Sequence, residues 1–121
     1  MDKKELQDYI DKYRKLLKES VEWWAKYTPD TKHGGYYSYL GRDGKVLFTD
    51  KNVRQQGRFV LLFARAYTEL EPRKEWLDLA LQGMKFIEDH CFDERDGRTY
   101  YDVTEDGRPV RKRRYVVTEH Y

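Results

Sequence analysis

Cys91 is the single cysteine of this 121-residue chain, so no intramolecular disulfide can form. Such usage is expected of a protein of the reducing cytoplasm. The N-terminus, Met1-Asp2-Lys3-Lys4-Glu5, leads into no apolar core, so no secretory signal peptide is expected. No apolar run approaches the ~20 residues of a membrane span, which argues against a membrane partner. Charge of one sign is scarce too. The 24 basic and 22 acidic side chains leave a net charge of +2, too little of a positive field to suggest nucleic acid as a partner. The one basic run, Arg111-Lys112-Arg113-Arg114, is short and reads as a solvated loop or helix entry.

Residues for common catalytic and metal chemistries are also sparse. The three histidines, His33, His90 and His120, have no partners at metal-ligand spacing, so no metal site is expected. Gly34-Gly35 lacks the downstream Gly and Lys of a phosphate-cradling loop. No Ser/His/Asp or Cys/His arrangement can be assembled, and Cys91 beside His90 reads as helix-end packing. By composition Asp43, Glu94 and Asp96 are loop carboxylates.

Aromatics are plentiful, at 16% with 11 Tyr and 3 Trp. They serve a core and also suit sugar-binding surfaces. From Leu6 through Tyr9, Ile10, Tyr13, Leu16, Leu17, Val21 and Trp24 to Tyr27 they recur, with aliphatics, at helical spacing. This predicts a long amphipathic helix ending before Pro29, because proline disfavours helical geometry in the residue preceding it. A second helix is expected to start near Asp50 to Asn52, either of which can cap it. Phe59, Phe63, Ala66, Tyr67 and Leu70 form its apolar stripe, with Gln55, Arg58, Leu62 and Arg65 on a more polar face. Glu71-Pro72 ends it, and Pro72 is suited to open a third helix carrying Trp76, Leu77, Ala80, Met84 and Ile87. Tyr115–Tyr121 reads as the start of a fourth. Those last residues carry no helix-ending signal, so a truncated chain is expected.

One device occurs twice between the helices. Gly35-Tyr36-Tyr37 runs on to Asp43-Gly44-Lys45-Val46, and Gly97-Arg98-Thr99-Tyr100-Tyr101 runs on to Asp106-Gly107-Arg108-Pro109-Val110. Each is an aromatic strand, an Asp-Gly turn and a second short strand, a hairpin signature. Matched on their tyrosine pairs, the copies are out of step by one residue. A hairpin recurring between helices points to a repeated unit.

The best polar candidate for a site is Gln55-Gln56-Gly57-Arg58. Glycine inside a helix costs about 1 kcal/mol against alanine and often marks the close approach of another element or a ligand. Arg58 offers a planar fork of donors suited to sugar oxygens or an enediolate, although a surface arginine beside a packing glycine reads equally well.

Gly34-Gly35-Tyr36, Asp43-Gly44-Lys45-Val46 with Asp50-Lys51, Gln56-Gly57-Arg58, Glu75-Trp76-Leu77 with Ala80 and Gly83, and Asp106-Gly107-Arg108-Pro109 before Thr118-Glu119 occur in an order that resembles the N-acylglucosamine 2-epimerase (renin-binding protein) family. The resemblance covers nearly the whole chain and is nearer the acylglucosamine branch than the cellobiose 2-epimerase or aldose-ketose isomerase branches. It implies an all-α fold of helical hairpins, an incomplete (α/α)6 barrel over residues 1–121 with two short β-hairpins between helices. It implies interconversion of N-acetylglucosamine and N-acetylmannosamine by two histidines that remove and return the C2 proton. None of His33, His90 or His120 matches those histidines, so no catalytic residue is expected in this chain and it should be inactive alone. The substrate-binding residues carried over are Arg58, which would hold sugar oxygens and developing negative charge, with Gln56 and Glu119 near the inner face. No cofactor is implied, a nucleotide effector is allowed for, and a homodimer is compatible. Arg54, Val117 and His120 depart from the family pattern, where a Trp, an aromatic and a small residue or Cys are usual. The rival readings are an enzyme of the same fold acting on mannose or a β-linked disaccharide, and a small helical interaction module without chemistry.

Overall fold

A computed structural model describes residues 2–111. The fourth helix expected at Tyr115–Tyr121, together with Glu119 and His120, lies outside the described residues. Helix α1 (Lys3–Tyr27) is capped by Asp2, whose carboxylate accepts from the Glu5 amide at 2.8 Å. It stops at Tyr27, two residues before Pro29. Strands β1 (Tyr39–Leu40) and β2 (Val46–Phe48) form the first hairpin, and β3 (Lys51–Asn52) leads directly into helix α2 (Val53–Arg65). Of the two candidate caps, Asn52 is the one used: its side chain accepts from the Gln55 amide at 3.2 Å.

Helix α2 continues as a π-helical turn over Ala66–Leu70 rather than as plain α-helix. Helix α3 (Lys74–His90) follows with Arg73 at its cap, so Pro72 sits one residue ahead of the cap and does not open the first turn. Strands β4 (Asp102–Val103) and β5 (Pro109–Arg111) form the second hairpin. This hairpin does not stand alone. Strand β4 pairs antiparallel with β3, Lys51 opposite Val103 and Asn52 opposite Asp102, giving a three-stranded sheet. The fold is therefore helical with two small sheets. Among the described residues no helix is long and apolar enough to cross a membrane.

The core forms where the C-terminal part of α1 meets α2 and α3. Val21, Tyr36, Phe59, Phe63, Ala66, Trp76 and Ala80 are buried together. A second cluster of Val53, Phe86, Ile87, Cys91, Tyr100 and Val103 seats the second hairpin on α3. The apolar stripe expected on α1 is real, but Val21 is its one buried member. Leu6, Tyr9, Ile10, Tyr13, Leu16 and Leu17 remain about half exposed.

Backbone hydrogen bonds show that the repeat is in step. Tyr37 N donates to Thr28 O and Tyr100 N to Cys91 O; Gly34 N donates to Asp30 O and Gly97 N to Asp93 O. Gly41 N donates to Lys45 O and Thr104 N to Arg108 O. Every pair is separated by the same 63 positions, as from Tyr37 to Tyr100. The offset of the tyrosine pairs against the Asp-Gly turns is thus borne out: Tyr37 corresponds to Tyr100, and Tyr36 to Thr99. The aspartate after each helix and the glycines in each turn fix the backbone path, whereas an aromatic can be exchanged for another buried side chain. Gly44 and Gly107 complete the equivalence. Both have positive φ, and a Cβ on either would overlap the ring at the end of the preceding odd-numbered helix, Tyr27 or His90.

Candidate functional site

Arg58 and Gln56 lie two residues apart on α2, hence about 200° apart around the helix. Arg58 is exposed and lines a groove of about 630 Å³ between α1 and the α2 segment. The groove floor is apolar, made by Leu17, Val21, Leu61, Leu62 and Leu70. Arg14 and Arg65 stand on its rim. Arg14 donates to the carbonyls of Glu69 and Leu70 at 2.8 and 3.4 Å, satisfying acceptors that the π-turn leaves at its end. Arg65 pairs with Glu69 at 3.3 Å.

Gln56 points the other way and is fully buried. Its amide oxygen accepts from Tyr36 N at 2.8 Å and its amide nitrogen donates to Tyr36 O at 2.7 Å. Gln82 on α3 does the same to the neighbouring residue, accepting from Gly35 N at 2.7 Å and donating to Gly35 O at 3.3 Å. Two glutamines thus satisfy backbone groups of Gly35 and Tyr36 beside the antiparallel bridge that Tyr36 makes with Pro29. Gln56, expected at the sugar, is committed to holding this segment against α2.

A polar knot that sequence reasoning missed joins the two hairpin regions. Lys51 is fully buried and its ammonium donates to Asp30 Oδ2 at 2.7 Å, Gly34 O at 2.8 Å and Glu105 O at 2.8 Å. It also lies 4.6 Å from the Phe86 ring centroid and 5.2 Å from that of Tyr37. Burial by itself would raise the Asp30 carboxyl. The hydrogen bond and charge of Lys51, with the amides of His33 and Lys32, outweigh that and hold it down to about 2. His33 Nδ1 lies 3.1 Å from Asp30 Oδ2 and 3.6 Å from Glu105 Oε1. Tyr37 donates to Glu105 Oε2 at 3.3 Å. Burial and the two carboxylates raise the Tyr37 phenol well above its ordinary range. The signal that could have exposed this knot is the aspartate following each odd-numbered helix, Asp30 and Asp93. Both are buried, and each accepts from the amide two residues on, Lys32 or Arg95, at 3.0 Å.

The described histidines serve structure. His33 belongs to the knot, and His90 packs on Phe86 with ring centroids 4.9 Å apart, beneath Gly107. Burial pushes the Cys91 thiol up to about 12, which keeps it from acting as a thiolate nucleophile. Among the described residues no three His, Cys, Asp or Glu side chains are grouped to hold a metal ion. What this surface offers for ligand chemistry is the Arg58 guanidinium, with those of Arg14 and Arg65, around an apolar groove.

The family model for N-acylglucosamine 2-epimerase (GlcNAc 2-epimerase) matches residues 34–118, from the first glycine turn past the second hairpin. The chain belongs to the N-acylglucosamine 2-epimerase family. The mouse (Mus musculus) N-acylglucosamine 2-epimerase is 34% identical over 117 residues, which cover 94% of this chain and 28% of that protein. A cellobiose 2-epimerase from Dictyoglomus turgidum is 28% identical over 117 residues, covering 96% of the chain and 29% of its own length. The crystal structure of a sugar epimerase from a ruminal bacterium superposes with a TM-score of 0.71 at 25% identity, over 83% of this chain and 27% of that one. The chain thus spans between a quarter and a third of the length of these family members.

Proposed function

We propose that this chain supplies the sugar-holding arginine of a 2-epimerase acting on N-acylated amino sugars. In this reading residues 1–121 form two of the helical hairpins of an (α/α)6 barrel. The observation that carries it is the split on α2. Gln56 is spent on the Tyr36 backbone, while Arg58, in the same family motif, projects from the opposite side over a ligand-sized groove. A guanidinium so placed binds sugar oxygens in a fork and stabilises negative charge as the C2 proton leaves. Gln56 contributes by fixing α2, and Glu119 joins Arg58 as a substrate-binding residue in this proposal. The histidine acid–base pair lies outside this chain, which by itself does not turn over sugar. The higher identity to the mouse N-acylglucosamine enzyme than to the Dictyoglomus turgidum cellobiose enzyme favours an amino sugar over a disaccharide.

The test exchanges this chain for the corresponding part of the mouse relative and follows conversion of N-acetylglucosamine to N-acetylmannosamine. The expected result is no turnover by the isolated chain, turnover by the chimera, and a loss of about a hundredfold or more in kcat/KM on Arg58→Ala in the chimera. Turnover by the isolated chain refutes the division of labour. An Arg58→Ala chimera as active as its parent removes Arg58 from the site.

A further inference from the structure

We propose that the sugar taken by this groove carries an anionic group, a phosphate on O6, and that Arg54 is the residue that selects it. The inference rests on the reading of the groove as a sugar site and adds the class of sugar. Among the described residues three arginines, Arg14, Arg58 and Arg65, line the groove against one carboxylate, Glu69. An N-acyl amino sugar without a charged substituent gives that excess of positive charge nothing to complement. Arg54 adds a fourth guanidinium. At 100° per residue it falls between Leu61 and Arg65 in the arc of α2 that lines the groove.

Two of these guanidiniums are already committed within the fold. Arg14 serves the carbonyls of Glu69 and Leu70, and Arg65 pairs with the Glu69 carboxylate. Arg54 has no such commitment. It makes no ion pair or hydrogen bond with the described residues, and its Nε is buried without an acceptor. A donor held out of water in this way is unfavourable, and an incoming ligand oxygen relieves it. The first turn of α2 carries no acidic residue, so the positive end of the helix adds to the field around Arg54. Spacing then names the anionic group. Arg54 lies four residues before Arg58, a rise of about 6 Å along the axis. With Arg58 at C2, where negative charge develops, Arg54 reaches the far end of the sugar, which is the place of O6. A phosphate on O6 extends to that distance, whereas a carboxylate at C6 ends nearer the ring. The phosphate also offers separate oxygens to the Nε–H and a terminal N–H of one guanidinium.

The test titrates N-acetylglucosamine 6-phosphate, N-acetylglucosamine and inorganic phosphate into the 121-residue chain. Binding is followed by heteronuclear NMR, with far-ultraviolet circular dichroism as the folding check on variants. The 6-phosphate is expected to bind at least about tenfold tighter than the neutral sugar and to shift the Arg54 side-chain Nε–H signal. Arg54→Gln should shrink that preference to about twofold or less, while Arg54→Lys should keep part of it, since an ammonium attracts phosphate without the planar fork. A chain that binds the two sugars alike or binds neither, a preference that survives Arg54→Gln, or inorganic phosphate binding as tightly as the sugar phosphate each overturns the proposal. The chimera described above separates this reading from the one beneath it. A chimera active on N-acetylglucosamine, beside a chain with no preference for the 6-phosphate, removes the anionic class alone. A chimera inactive on sugar, beside a chain that prefers the 6-phosphate, removes the epimerase reading instead.

Discussion

Replacing Lys51 by methionine tests whether the buried knot holds the two hairpin regions together. The ammonium has three hydrogens and the structure supplies three acceptors, at 2.7, 2.8 and 2.8 Å, with the side chain fully out of water. Methionine keeps most of the stem and its contact with Phe86, so the cavity contribution is small. What changes is that the Asp30 carboxylate, 2% exposed, loses its counter-charge, and the Gly34 and Glu105 carbonyls lose a donor. Stranding one member of a buried pair costs about 3–5 kcal/mol. Asp30 keeps its bonds from the amides of Lys32 and His33, so a loss near the lower end, about 3 kcal/mol, is expected. Urea unfolding followed by tryptophan fluorescence measures the loss. Amide exchange should show it first at Thr104 and Gly107, whose turn is tied down through the Glu105 carbonyl. Adding Asp30→Asn to Lys51→Met removes the stranded charge and should recover at least about 1 kcal/mol relative to the single variant. A loss under about 1 kcal/mol for Lys51→Met, or a double variant as unstable as the sum of the two singles, would refute the reasoning.

Two further outcomes are expected. Gln56→Leu leaves the buried N–H and C=O of Tyr36 without partners and should cost about 2–4 kcal/mol in thermal unfolding, more than Gln55→Leu on the partly exposed side of the same helix. Acid should also loosen the fold through Asp30. Its carboxyl is depressed to about 2 when folded, so its contribution is complete above the unfolded carboxylate value near 4 and is lost as pH falls from there through about 2. The loss should be on the order of 1–2 kcal/mol across that window, and Asp30→Asn should flatten it. An unfolding midpoint equally acid-sensitive in both proteins would contradict the assignment.

Much of the architecture was legible in the chain because it rests on local rules. The α1 boundary follows from apolar periodicity and Pro29, and the α2 start from a capping residue, although only the structure shows that Asn52 rather than Asp50 is used. The hairpins follow from Asp-Gly, and Arg58 stands out as an arginine beside a helix-interior glycine on the more polar face of α2. The one-residue offset of the tyrosine pairs against the Asp-Gly turns was legible in the chain, and the structure shows why it is tolerated: the backbone follows its aspartates and glycines. The pairing of β3 with β4 was invisible, since two-residue strands carry no alternation and their partners lie 50 residues apart.

The sequence by itself determined the local elements and, through the order of its short motifs, the family. Each of those depends on residues close together in the chain. Tertiary structure decided the roles of individual polar side chains. Gln56 and Arg58 are two residues apart in one motif, yet the helix turns one into the core and the other over the groove. Lys51 looks like any lysine in a charged chain until Asp30, 21 residues before it, and Glu105, 54 residues after, close around its ammonium. Burial converts such a charge from a solvated surface group into a structural centre, and burial is a property of the assembled elements.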